Sequence, residues 1–191
     1  FKDYPYELAK SDHGEVIVSF SGSREEKIQR FESIISKLHG DGVHGNDIVI
    51  LSNFRLNNKY NFITETNISS FYDSIVDLTD KNIRDLNNKL PEIKKSNSIY
   101  FSTSSAFQGM ESKIVIYIDP LESAQTVYSS DFANLKPEML AFNAMGRANT
   151  ILYLMWSSAH KNYYNEKVKL IGGLSVKWPK IWTMPLTLGN T

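Results

Sequence analysis

Residues 47–52 read Asp-Ile-Val-Ile-Leu-Ser, an unbroken apolar run rich in β-branched side chains. A strand with one face in water alternates apolar and polar residues. A continuous run needs cover on both faces, as in a parallel sheet lying between layers of helix. This feature constrains the chain to a layered α/β architecture. Residues 15–20, 98–102, 114–118 and 150–156 also read as strands. Between the first of these and 47–52, Ser23-Arg24-Glu25-Glu26 has the form of a capping box, in which serine and glutamate satisfy the first backbone N–H groups reciprocally. Ile28, Phe31, Ile35 and Leu38 then recur at helical spacing, so an amphipathic helix is expected over 23–38, broken by Gly40, Gly42 and Gly45. Strand, helix, strand in that order is a crossover unit, right-handed by rule.

Residues 53–70 are polar and asparagine-rich, with one strand expected at 60–64. Two short helices are expected within 71–90, stopped by Pro91. Lys136 and Pro137 open a helix running to about Arg147. Residues 160–170 read as helical, closed by Gly172 and Gly173. The tail, 171–191, is read as an added strand or an extended cover over the sheet. The expectation is one domain over 1–191 with a mainly parallel sheet, and, since the first residue is Phe1, a piece of a longer protein.

Composition narrows the function. The chain has 21 basic and 21 acidic residues among 191, a formal net charge of zero. Phosphate contact supplies most of the affinity of a stand-alone nucleic-acid binder, which usually carries a basic excess. Strong independent binding is therefore not expected, though local contacts remain open. Cysteine is absent, which excludes disulfides and thiolate metal sites and agrees with a cytoplasmic location. No apolar run approaches the roughly 20 residues that span a bilayer. His13, His39, His44 and His160 show no metal-ligand spacing. Asp73, Asp77 and Asp80 read as a solvated helical face, and Trp178 and Trp182 as packing residues.

Two stretches carry chemistry. In the first, 102–111, a strand ends in Thr103, Ser104 and Ser105, followed by Gln108, Gly109, Met110 and Glu111, with Ile114-Val115-Ile116 beyond. Small hydroxyl residues at a strand's carboxyl end let a phosphate backbone approach the main chain. In the second, Phe142, Ala144, Met145, Arg147 and Ala148 precede the run Ile151-Leu152-Tyr153-Leu154. Together, in this order, they resemble the fifth and sixth motifs of UvrD/Rep-type superfamily 1 DNA helicases.

The resemblance implies a RecA-like (P-loop NTPase-type) three-layer domain, the second motor domain of an ATP-dependent helicase. It implies that Gln108 and Gly109 approach the nucleotide, that Glu111 binds its ribose, and that Thr103, Ser104 and Ser105 touch single-stranded DNA. It implies that Arg147 reaches the γ-phosphate across the domain interface, where a guanidinium is worth on the order of 10³ or more in rate. ATP and Mg²⁺ would be held mainly by an N-terminal RecA-like domain of the same polypeptide. This sequence contains no Gly-Lys-Ser or Gly-Lys-Thr phosphate loop, so the chain alone is expected to be inactive. Residues 47–55 resemble the strand and loop after the family's fourth motif, with Arg55 open to nucleotide or DNA. Two positions depart from the pattern: Gly146 stands where a hydroxyl residue is usual, and Asn149 where a basic one is. They motivate an alternative, a non-catalytic interaction module of the same fold. A third reading rests on Glu111-Ser112-Lys113, which has the spacing of PD-(D/E)xK nucleases. That reading wants both residues on a strand with an aspartate upstream, and here the strand is expected to begin after the lysine.

Overall fold

The computed structural model describes residues 15–79, 96–120, 141 and 144–165. The expectations for 80–90, for the helix start at Lys136 and Pro137, for Phe142, for 166–170, for the tail 171–191, and for His13, Asp80, Trp178 and Trp182 lie outside these residues. The central element is a six-stranded sheet of β1 (Glu15–Ser21), β2 (Ile48–Ser52), β3 (Ile75–Asp77), β4 (Ile99–Thr103), β5 (Ser112–Ile118) and β6 (Ala148–Ser157). Its order is β1-β6-β5-β2-β4-β3, and every neighbouring pair is parallel. All carboxyl ends therefore lie on one rim and all amino ends on the other.

The apolar run at 48–52 occupies the middle of the sheet. All five residues of β2 are buried, and its side chains divide strictly by parity. Ile48 and Ile50 pack with Phe31, Ile35 and Leu38 of helix α1 (Arg24–Gly40). Val49 and Leu51 pack on the opposite face with Phe107, Ala141 and Ala144. Each fully buried side chain of this size contributes about 1.5–3 kcal/mol, so cover on both faces is what holds β2 central. Three layers result. β1 reaches β2 by crossing the sheet in one direction with α1 on one face. β5 reaches β6 in the other direction with Ala141 and Ala144 on the other face. Reversing both direction and face preserves the hand of the crossover.

Helix α1 starts as its sequence requires. Ser23 Oγ accepts from the Glu26 N–H at 3.2 Å, and Glu26 Oε2 accepts from the Gly22 N–H at 2.6 Å. The glutamate thus reaches one residue further back than the usual box. The helix runs two residues past Leu38. It closes at Gly42, whose φ of 76° only glycine adopts cheaply, with Val43 N–H donating to Leu38 O at 3.0 Å.

Three expectations change. Residues 60–64 form no strand; a 3-10 turn at Ile63–Glu65 buries Ile63 instead. Residues 75–77 are an edge strand against β4, so Asp73 and Asp77 do not share a helical face. β5 begins at Ser112, which places Lys113 on the strand. Among the described residues, no helix is long and apolar enough to cross a membrane.

Candidate functional site

Glu111 immediately precedes β5, and Arg147 immediately precedes β6. Because β5 and β6 are adjacent and parallel, both residues stand on the amino rim of the sheet. The Ser112 N–H donates to the Arg147 carbonyl at 3.0 Å, tying the two segments together at this point. Register shifts between Ser112 and Ile114, so β6 carries an extra residue opposite them. Bulges of this kind re-aim side chains at strand ends. Here Asn149 Nδ2 donates to Glu111 Oε2 at 3.3 Å. The asparagine that departs from the helicase pattern is the partner of the motif's carboxylate.

The residues around this pair are set for access. Gln108, Gly109, Met110 and Glu111 are exposed, and Arg147 is half-buried. Arg147 makes no ion pair with a carboxylate among the described residues. Gly109 has φ of 81° with open space where a side chain would stand; the turn, not crowding, calls for glycine. Gly146 lies in the turn beyond helical Ala144 and Met145, and so does not interrupt a helix. The Arg147 N–H completes that turn by donating to Ala144 O at 3.2 Å. Next to the pair, Lys113 Nζ lies 2.9 Å from Asp47 Oδ2, and Ser112 Oγ donates to Asp47 O at 2.9 Å. Lys113 is thereby paired, and no group of three His, Asp or Glu fit to hold a metal occurs among the described residues.

Thr103, Ser104 and Ser105 are on the opposite, carboxyl rim, one strand length of about 20 Å away. Residues 104–111 run from that rim to Glu111. Phe107 is buried midway against the β5–β6 face, with its N–H donating to Thr103 O at 3.0 Å. The hydroxyls are not equivalent. Ser104 Oγ turns inward, 2.9 Å from both Asn53 Oδ1 and Tyr117 Oη. Tyr117 Oη donates to Asn53 Oδ1 at 3.0 Å, and Asn53 Nδ2 donates to Pro120 O at 2.9 Å. This buried knot joins the ends of β2, β4 and β5. Thr103 and Ser105 are half-buried at its edge, and Arg55 is exposed on the loop after β2.

Beside the knot, Lys27 Nζ pairs with Asp119 Oδ2 at 2.6 Å, with both side chains largely buried. Asp119 has φ of 45°, a left-handed backbone rare for a non-glycine residue. Its N–H donates to Met155 O at 2.8 Å, which holds the turn. The sequence reading missed Asn53, Tyr117 and Asp119, and took Asn149 only as a departure from the helicase pattern. Each is a single polar residue at a strand end, with no spacing pattern to mark it; only the positions just past an apolar run could have flagged them.

No family model and no curated protein matches the chain. Among solved structures, it is similar to the RNA helicase Prp28 from Chaetomium thermophilum bound to ADP, with a TM-score of 0.55 and 13% identity over 86% of this chain and 38% of that one. It is also similar to the yeast DEAD-box splicing factor Prp28, with a TM-score of 0.49 and 16% identity over 88% of this chain and 35% of that one. A third is the C-terminal domain of a possible DNA helicase from Lactobacillus plantarum WCFS1, with a TM-score of 0.46 and 14% identity over 76% of this chain and 74% of that one. The chain thus spans little more than a third of either Prp28 chain. At this identity the likeness establishes the fold, the RecA-like architecture of helicase domains.

Proposed function

We propose that this chain is the second RecA-like motor domain of an ATP-dependent, UvrD-like DNA helicase. Its amino rim completes an ATP site, and its carboxyl rim contacts single-stranded DNA. The observation that carries the reading is the Ser112–Arg147 main-chain hydrogen bond, which ties the segments bearing Glu111 and Arg147 together on one rim. A carboxylate there can accept from ribose hydroxyls. A guanidinium there can offer its planar fork of N–H donors to phosphoryl oxygens as charge develops on them. Glycine at 109 lets the main chain approach a nucleotide closely. ATP and Mg²⁺ would be held mainly by an N-terminal RecA-like domain. This chain's part is to orient the nucleotide and to add charge when the two domains close.

On the other rim, the half-buried hydroxyls of Thr103 and Ser105 suit phosphate contact, while Ser104 acts through the knot that positions them. The 104–111 segment joins the two rims, which gives nucleotide and strand a common mechanical element. A second reading, an interaction module of the same fold, draws on Gly146 and Asn149, where the motif lacks a hydroxyl and a cation.

The test uses the parent protein with both motor domains. Arg147→Ala should lower DNA-stimulated ATP hydrolysis by on the order of 10³ while leaving nucleotide binding within a small factor. Hydrolysis that survives intact removes the proposed role of Arg147 and favours the interaction module. The chain by itself should not turn over ATP.

A further inference from the structure

Tyr60 is one of only two large apolar side chains exposed among the described residues, at 58% of its full accessibility. It stands on the loop that follows β2, at the carboxyl rim. Its ring packs against Phe54, with centroids 5.5 Å apart and planes tilted by 41°. Lys59 Nζ lies over the same ring, 5.0 Å from the centroid. Residues 53–64 contain Arg55 and Lys59 and no acidic residue, in a chain whose formal net charge is zero. Both cations are exposed.

The ring does not owe its place to looseness of the loop. Asn58 Oδ1 accepts from the Tyr60 N–H at 2.9 Å, and Asn61 N–H donates to Asn58 O at 2.8 Å. Buried Asn61 ties the turn together: its Nδ2 donates to Arg55 O at 3.3 Å, and its Oδ1 accepts from Ile63 N–H at 3.0 Å. Arg24 donates to Asn61 O at 3.0 Å, and Phe62 and Ile63 anchor the next turn in the core. An aromatic held outward on a braced turn keeps its apolar face in water, which costs stability unless something covers it. The loop leaves β2 toward the α1 face, since Phe62 and Ile63 join that core, while residue 107 leaves β4 toward the other. Diverging connections from adjacent parallel strands open a crevice at their carboxyl ends.

We infer that Phe54, Tyr60, Arg55 and Lys59 form a base-stacking platform for single-stranded nucleic acid. Every base has a π-face, so an aromatic ring beside cations grips a strand without reading its sequence. Lys59, on a flexible stem, yields the ring to a base and reaches a flanking phosphate. The inference rests on the proposed path of nucleic acid across the carboxyl rim and adds to it a subsite for a base.

The test measures binding of an oligothymidylate strand, and of the same strand carrying abasic sites, to the full chain. Tyr60→Ala should weaken binding of the intact strand about 5- to 150-fold, the range for loss of one stacked base. On the abasic strand, Tyr60→Ala and the unsubstituted chain should bind alike. Tyr60→Trp should retain affinity, with its fluorescence quenched on binding. If Tyr60→Ala changes nothing while Ser105→Ala weakens binding, the platform is refuted and the nucleic-acid path stands. Equal loss on both strands refutes stacking. Failure of the unsubstituted chain to bind either strand even weakly overturns the platform, while the ATP-site reading is judged by Arg147→Ala in the parent protein. Loss of a protein partner in Tyr60→Ala at unchanged strand affinity makes the face a protein contact and overturns the platform.

Discussion

The carboxyl rim is organised by one amide, and Asn53→Ala shows how much depends on it. In the folded protein Asn53 Oδ1 accepts from Tyr117 Oη at 3.0 Å and lies 2.9 Å from Ser104 Oγ, while its Nδ2 donates to Pro120 O at 2.9 Å. Truncation to alanine leaves two hydroxyls and a carbonyl with fewer partners in a buried site. Each net hydrogen bond is worth about 1 kcal/mol, and a buried group left unsatisfied costs about 1–3 kcal/mol. The Ser104 and Tyr117 hydroxyls can still bond each other across 2.9 Å, so the full sum does not apply. About 3–4 kcal/mol is expected, a large share of a typical domain stability of about 5–15 kcal/mol. Ser104→Ala, by contrast, leaves the Tyr117–Asn53 and Asn53–Pro120 bonds in place and should cost about 1–1.5 kcal/mol. Tyr117→Phe should cost a similar amount. Urea unfolding, read as a change in midpoint at constant slope, measures all three. The Ser104→Ala/Tyr117→Phe double variant should depart from additivity by at least about 0.5 kcal/mol. If Asn53→Ala costs no more than Ser104→Ala, the amide is not the hub. The positioning of Thr103 and Ser105 then needs another cause.

Two further outcomes follow from the packing. Gly45→Ala should destabilise by about 1–3 kcal/mol, the usual range for overpacking, because its new methyl would stand 2.8 Å from the Ser98 carbonyl carbon and oxygen; a midpoint within error of the unsubstituted chain would show that residues 97–98 yield easily. Burial pushes the Tyr153 phenol above its ordinary value. A raised folded value means that the folded state holds its proton longer, so the stabilisation is complete below the unfolded value of about 10 and is lost as pH rises above it. Urea midpoints should fall steeply in that range, and less steeply in Tyr153→Phe; identical slopes would assign the alkaline loss to other groups.

How much of this was readable before folding can be judged from particular residues. Ser23 capped the helix where its spacing to Glu26 predicted. The runs around Val49, Ile116 and Leu154 became buried strands within one or two residues of their expected bounds. Ile75–Asp77 falls in a stretch whose sequence predicts helix, because three residues cannot display a period; pairing with β4 makes it a strand. Tyr60 through Thr64 looked strand-like from an aromatic and β-branched composition. Asn61, bonded into its own turn, won over that propensity.

The sequence by itself determined the layers. Unbroken apolar runs demand cover on both faces, and the demand is local, carried by the solubility of each successive side chain. It also placed Glu111 and Arg147 each a few residues ahead of an expected strand. Only the tertiary structure decided that the two strands are neighbours, that a bulge turns Asn149 onto Glu111, and that Ser104 points inward while Ser105 does not. Strand order and register depend on which apolar surfaces the whole chain has left to bury, a sum over distant residues that no single window of sequence contains.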